Sequence, residues 1–444
     1  MGKVKVLTAR QAADLIKDGD TVTLSGFVAN GIAEALNAAA EERFLETGHP
    51  KDLTLFWVAG TGNKDGSHAD HYAHEGMVKK VIGGHFNFVP KICEMLSENK
   101  IEGYNVPQGA IAQMLRDNAA RKVGTISHVG IGTFADPRNG GGRLSEKTKE
   151  DIVKIIELEG QEQLFYPRIP LDVAFIRGTY ADELGNITLE KEMAPLDATS
   201  QAMAVHNNGG LVVVQVERVV KAGHLDPKLV KIPGIYVDAV VECPADDPKQ
   251  SQSINCTYDP AYAGNTQVPV SSLEPKKLDA KKIIGRRAAM ELKKNVVVNL
   301  GVGVPEWVSS VAAEEGVADE MTLTVECGPV GGVPGGGLRF GGSVNAQAYM
   351  DEGYQFDFYD GGGLDLCFLG LAEVDNNGDV NVSRLGTRIT GSGGFTNISS
   401  NSKKAVFCGT FTNGVKIQTG DGELTILEEG KKHKFVNKVT EITF

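Results

Sequence analysis

Hydrophobic positions along this chain switch between a helical period and a strand-like one, and two stretches do so in the same order. In residues 7–44, apolar Ala12, Leu15 and Ile16 recur at helical spacing ahead of a polar turn, Asp18-Gly19-Asp20. A β-rich run from Thr21 to Leu24 then leads through a glycine-containing bend into another helical stretch. Residues 278–316 repeat these events: a helix around 279–294, a strand at Val296–Leu300, the bend Gly301–Pro305, and a helix beyond it. Pro305 suits a first helical turn, because its missing N–H has no partner to lose there. Helix–strand–helix is a common order in α/β chains. It is the glycine-rich bend in both copies that predicts two halves built alike.

Elsewhere, short β-rich runs alternate with helical patterns, as a parallel α/β sheet requires. Strands are predicted at Leu53–Val58, Val173–Ile176, Leu211–Val216, Met321–Val325, Leu364–Leu371 and Ala405–Cys408. Residues 244–277 differ, being proline-rich and polar with little apolar periodicity, and read as a connection that also has the length to cover a site. They place the domain boundary near residue 275, giving domains 1–275 and 276–444. The tail beyond Gly414 reads as strands with turns at Asp421-Gly422 and Glu429-Gly430, and VTEITF at the end is strand-like.

Composition narrows the function. The 444 residues carry 45 basic and 57 acidic side chains, for a net charge of −12. Such an acidic chain offers no basic face for nucleic acid. No run approaches the apolar length of a membrane span, and the first twenty residues lack the apolar core of a secretion signal, so a cytoplasmic protein is expected. The six cysteines have no C-x-x-C spacing, which suits a reducing compartment better than a zinc site or a disulfide framework. The 54 glycines have no collagen-like period and read as turns and close approaches of backbone.

The most unusual segment is TLTVECGPVGGVPGGGLRFGG, residues 322–342, where Glu326 stands just as a β-rich run gives way to glycine-rich chain. Ligands of open α/β sheets bind at the carboxyl ends of strands, and a carboxylate among residues with almost no side chain lets a reacting atom come close. GVGVP at 301–305 and YDGGGLDLCFLG at 359–370 are further glycine clusters beside strands. The first is not a dinucleotide fingerprint, since Glu306 stands where the third glycine would be, and no Walker A sequence occurs. His68, His71 and His74 recur at three-residue intervals without a nearby carboxylate pattern, and His85 reads as a cleft or packing residue. Ser25, Ser343 and Ser392 sit in glycine-rich turns with no nucleophile-elbow pattern, and Cys327 and the pair Asp357 and Asp360 read as structural.

Taken together, DGDTVTLSGFVANG (18–31), YNVPQGAIAQMLR (104–116), VGIGTFADPRNGGGRL (129–144), NLGVGVPEWV (299–308), VECGPVGG (325–332), GGGLDLCFLGLAEVDNNGDVNVS (361–383) and GSGGFTNIS (391–399) resemble the family I coenzyme A transferases. The resemblance is to the branch in which both subunit types are fused, and it runs in order from about residue 8 to the end. It implies two related open α/β domains in tandem, alpha-subunit-like then beta-subunit-like, with the active site between them. It maps the catalytic glutamate onto Glu326, an oxyanion-hole glutamine onto Gln108 and a backbone N–H donor onto Gly362. Gly301, Gly303 and Pro305, with Gly361 and Gly362, are implied to line the coenzyme A site. Ser25 and Ala33 depart from the family's usual Gly and Pro. Fused members usually continue well beyond the point matching Phe444, so the second domain is expected to lack its C-terminal end.

The implied reaction moves coenzyme A between short-chain acyl-CoA thioesters and free acids such as acetate, propionate, butyrate or acetoacetate. It is a ping-pong reaction through a glutamyl-CoA thioester. Coenzyme A enters as a substrate, with no permanently bound cofactor and no metal, and a homo-oligomer is expected. Because the nucleophile must be ionised, no raised pKa is expected for Glu326. An acyl-CoA hydrolase using the same glutamate is the nearest alternative. A non-catalytic acyl-CoA-binding relative would need neither Glu326 nor Gln108, and a sugar-phosphate isomerase would need an acid–base pair that the chain does not offer.

Overall fold

The computed structural model describes residues 2–269 and 275–444. Eight parallel strands form the first sheet: β1 (Lys5–Leu7), β2 (Thr21–Leu24), β3 (Leu53–Trp57), β4 (Val78–Gly83), β5 (Glu102–Asn105), β6 (Val173–Arg177), β7 (Leu211–Val216) and β8 (Ala239–Glu242). Their spatial order is β1-β8-β7-β6-β2-β3-β4-β5. The central strands are buried on both faces, which is why β6 reads as an unbroken VAFIR and β7 as LVVVQV. Helices α1 (Ala9–Ala13), α2 (Glu34–Thr47), α3 (Pro90–Ser97), α4 (Gln108–Ala119) and α5 (Ala198–Asn207) lie in this half of the chain.

The second sheet has six strands: β9 (Val297–Leu300), β10 (Thr322–Thr324), β11 (Pro329–Val330), β12 (Ala348–Tyr349), β13 (Leu366–Gly370) and β14 (Ala405–Cys408). Their order is β12-β11-β10-β9-β13-β14, with β10, β9, β13 and β14 mutually parallel and the short β11 and β12 antiparallel. Helices α6 (Ala280–Ala289), α7 (Glu306–Glu314), α8 (Glu352–Asp360) and α9 (Phe395–Asn401) accompany it. The repeat read from the sequence is therefore present as α1-β2-bend-α2 and α6-β9-bend-α7. In the first copy the helix is shorter than the pattern suggests: Ala12 and Ile16 are buried, but Leu15 lies beyond the helix end and is 44% exposed.

One apolar core runs through both halves. Ala110, Ile111 and Leu115 of α4 belong to it with Phe356 and Tyr359 of α8 and Ile398 of α9. Residues 244–269 are less loose than a polar connection implies. Gln250 and Gln252 are buried there, and Gln252 donates to the Lys191 carbonyl while Ser253 donates to that of Leu338 in the other half. Residues 270–274 of that segment, and with them the approach to the expected boundary at 275, lie outside the described residues. The final VTEITF run forms no strand; its end folds back on Val380, whose N–H donates to the Phe444 carbonyl at 2.9 Å.

Candidate active site

The carboxyl ends of both sheets face one cavity of about 190 Å³. Glu326 enters it two residues after β10, Gly301 directly after β9, and Gly370 at the end of β13. The first half contributes Phe27 after β2, Gly60 after β3, His85 after β4 and Gln108 at the start of α4. Parallel strands deliver these residues to a common edge because every strand ends on the same side.

Residues 390–397 stitch the two halves together around the cavity. Gly393 donates its N–H to the Gly84 carbonyl at 2.7 Å and accepts from the Gln108 N–H at 3.1 Å. Thr390 accepts from Phe86 at 2.7 Å, and Asn397 Oδ1 accepts from Gly109 at 3.1 Å. A side chain on Gly394 would meet Ile398 and Phe356 at 3.2 Å and Glu326 Cγ at 3.4 Å, so a glycine there leaves the carboxylate its space.

Glu326 is 8% exposed and is the single charged group among the residues lining the cavity. The Asn299 side-chain amide donates to its Oε2 at 3.4 Å, and Asn299 is itself held beside Thr324 and the Tyr359 hydroxyl. Burial in these apolar walls raises the Glu326 carboxyl to about 7, with the Asn299 bond opposing the shift. The expectation of an unshifted nucleophile is thus corrected: the need for an ionised carboxylate sets no limit on how far it is desolvated.

Of the residues singled out from the sequence, the structure brings Glu326, Gln108, Gly301, His85 and Ser392 into the cavity wall. Gly303, which is exposed, and Pro305, which is buried, are not among the lining residues. The Gly303 N–H is taken by Glu306 Oε1 at 2.7 Å, and Pro305 caps α7. Gly361 and Gly362 are not brought to the cavity. They close the C-terminal turn of α8, where their N–H groups donate to the carbonyls of Asp357 at 3.0 Å and Tyr359 at 2.9 Å. The GGG run is a helix stop, whereas Gly391, Gly393 and Gly394 join Gly60, Gly301 and Gly370 in lining the cavity.

The remaining candidates have other partners. His68 and His71 bond Glu34 at 2.7 and 2.8 Å, while His71 and His74 bond Glu41. Burial opposes it, yet the two histidines bring the Glu34 carboxyl down to about 2. No group of three or more His, Cys, Asp or Glu among the described residues is arranged to hold a metal ion. The Ser25 hydroxyl donates to the Gly31 carbonyl at 2.7 Å and that of Ser343 to Gly331 at 2.8 Å. The Cys327 thiol donates to Gly341 at 3.0 Å and is pushed far up by burial. Asp357 pairs with Arg116, and Asp360 accepts from Asn397 at 3.0 Å. His85 does line the cavity, and burial brings it down to about 4, so it is a neutral wall.

Sequence reasoning did not single out Asn299, Tyr359, Asp197 or Glu352. Asn299 carried a signal, since an Asn within the strand run VVVNL is a buried polar group needing a partner. Asp197 and Glu352 carried none, because each reads as an ordinary acidic residue at a helix start.

Residues 6–243 match the family model described as coenzyme A transferase. The chain is 44% identical over 447 aligned residues to the acetate CoA-transferase YdiF of Escherichia coli O157:H7, spanning 100% of this chain and 83% of the relative. It is 42% identical over 445 residues to the caffeate CoA-transferase of Acetobacterium woodii, spanning 99% and 85%. The crystal structure of the E. coli O157:H7 acyl-CoA transferase YdiF in its thioester complex with CoA aligns at a TM-score of 0.93 and 42% identity, covering 100% of this chain and 84% of that one. Among the described residues no helix is long and apolar enough to cross a membrane.

Proposed function

The chain belongs to the coenzyme A transferase family, and we propose that Glu326 is the nucleophile through which it passes coenzyme A from an acyl-CoA thioester to a free carboxylate. The observation that carries this reading is a lone, desolvated carboxylate in an otherwise uncharged cavity at the carboxyl edge of both sheets.

The Glu326 carboxylate attacks the thioester carbonyl. Collapse of the tetrahedral intermediate expels coenzyme A as its thiolate and leaves a mixed anhydride of Glu326 and the acyl group. The thiolate then attacks the glutamyl carbonyl of that anhydride, which gives a glutamyl-CoA thioester and releases the first acid as its carboxylate. An incoming carboxylate reverses both steps. Each covalent state keeps the energy of the thioester, which an ester to serine would discard. Desolvation strips water from the carboxylate and strengthens it as a nucleophile once ionised. Gln108 supplies a side-chain N–H to the tetrahedral oxyanions. Asn299 holds the carboxylate in line from the neighbouring strand end.

The walls are apolar and small. Phe27, Phe88 and Phe340 line the same cavity of about 190 Å³, which suits short acids such as acetate, propionate, butyrate or acetoacetate. The same apolar walls favour transfer over hydrolysis by keeping water from the anhydride. Support for the reaction class comes from relatives named for acetate and caffeate, and from the E. coli relative solved as a thioester complex with CoA. Coenzyme A is a substrate here, a homo-oligomer in the cytoplasm is the expected setting, and domains divided near residue 275 are the expected architecture. The test is to supply propionyl-CoA with and without acetate. Acetyl-CoA formation that far exceeds acetate-independent thioester loss supports the transferase reading, and equal thioester loss in both supports a hydrolase.

A further inference from the structure

Three helices begin at one buried point behind the cavity. Gln108 is the first residue of α4, Asp197 precedes α5, and Glu352 is the first residue of α8. All three are buried, with exposures of 2%, 6% and 1%. The Gln108 Nε2 group donates to Glu352 Oε1 across 244 residues of chain, and the Glu352 N–H donates to the Leu196 carbonyl at 3.0 Å, which ties the two acidic segments together. The Asp197 side chain neighbours that of Glu352, and its Oδ1 is buried with no hydrogen-bond partner among the described residues. Two carboxylates side by side, with no cation among the described residues paired to either, do not both ionise.

We propose that Asp197 and Glu352 form a proton-sharing carboxyl pair that positions Gln108 for catalysis. Glu352 keeps the shared proton on the oxygen turned toward Asp197 and donates it there. Its Oε1 is then an acceptor only and fixes which end of the Gln108 amide faces it. One Nε2–H is spent on Glu352 and the other is left for the oxyanion in the cavity. The inference rests on Gln108 being an oxyanion donor. Three helix N-termini around the pair favour one negative charge there. A second charge would face Asp351 on the adjoining segment, and Glu326 and Cys327 after β10. Only Arg116 of α4 opposes it, and its guanidinium is already paired with Asp357. Burial pushes both carboxyls up, Asp197 to about 7 and Glu352 well above its ordinary range; the neighbouring Asp197 raises Glu352 further, while the bond from Glu352 holds Asp197 down.

The test measures kcat and KM for acyl transfer from about pH 6 to 9.5 in Glu352→Leu, Glu352→Gln, Asp197→Asn, Gln108→Ala and the double variant Gln108→Ala/Glu352→Leu. Melting temperatures accompany each. Glu352→Leu should lose about tenfold to a hundredfold in kcat with KM nearly unchanged, because a donor is misaimed. Glu352→Gln restores an acceptor for Gln108 and a donor for Asp197, and should recover most of that loss. Glu352→Gln and Asp197→Asn hold a constant single charge, so both should stay active at alkaline pH where the parent declines. The double variant should be no slower than Gln108→Ala. Parent-like kcat in Glu352→Leu, a parent-like alkaline decline in both isosteric variants, or losses that multiply in the double variant would overturn the positioning role. An unimpaired Gln108→Ala would instead remove the oxyanion reading on which it stands.

Discussion

Asn299 and Glu326 sit at the ends of adjacent parallel strands, and the amide of one donates to the carboxylate of the other at 3.4 Å. Strands β9 and β10 pair with Asn299 opposite Thr324, so the register of the sheet sets this contact. The amide stabilises the ionised carboxylate against a burial that raises it to about 7.

Asn299→Asp replaces that donor by a second carboxylate. Two acids this close resist ionising together, so the acid limb of the pH–rate profile should move upward by about one unit or more. At pH 7 kcat should fall roughly tenfold and should recover toward pH 9. A profile that superimposes on the parent's would show that Asn299 does not set the ionisation of Glu326.

The same raised carboxyl makes a stability prediction with a definite sign. Between the ordinary value of 4.5 and about 7 the folded chain holds a proton at Glu326 that the unfolded chain has lost. Stability from this group is therefore lost as pH rises through that window. Glu326→Gln removes the cost, so its melting temperature should exceed the parent's by about 1–4 °C at pH 8. The gap should close near pH 4.5. A lower melting temperature at pH 8 would contradict the burial argument.

Gln108→Ala should reduce kcat by about 10²–10³ while KM changes by no more than a few-fold, the pattern of a group acting mainly in the transition state. A raised KM with kcat unchanged would place Gln108 in ground-state binding. Steady-state transfer between propionyl-CoA and acetate reads both constants.

Gly84 accepts from Gly393 at 2.7 Å where the two halves join. A Cβ there would come within 2.3 Å of the Val58 carbonyl oxygen, a backbone atom that cannot swing aside. Gly84→Ala should destabilise the fold by about 1–3 kcal/mol in urea unfolding and lower transfer with it. Parent-like stability would mean that the junction relaxes more easily than the packing implies.

What was legible in the sequence was mainly local. The run Ala405–Cys408 was read with its ends in place because all four residues are apolar and flanked by polar chain. Glu326 stood out because a strand ends beside it in glycine-rich chain. The glycines of 361–363 look the same in sequence as those of 391–394, yet the first set terminates α8 and the second lines the cavity. Only the packing of α8 and α9 separates these roles. His68, His71 and His74 were visible as a series, but their carboxylates, Glu34 and Glu41, lie seven residues apart on one face of α2 and gave no nearby pattern. The contact of Gln108 with Glu352 spans 244 residues, a separation over which no local periodicity carries information.

The central claim is that Glu326 is converted by acyl-CoA into a covalent glutamyl-CoA thioester. Incubating the protein with propionyl-CoA, quenching with hydroxylamine and mapping the peptides by mass spectrometry tests it directly. The account predicts a hydroxamate on Glu326 that forms only when acyl-CoA is present and is absent from Glu326→Gln. Folded protein that turns over propionyl-CoA while Glu326 stays unmodified would contradict it.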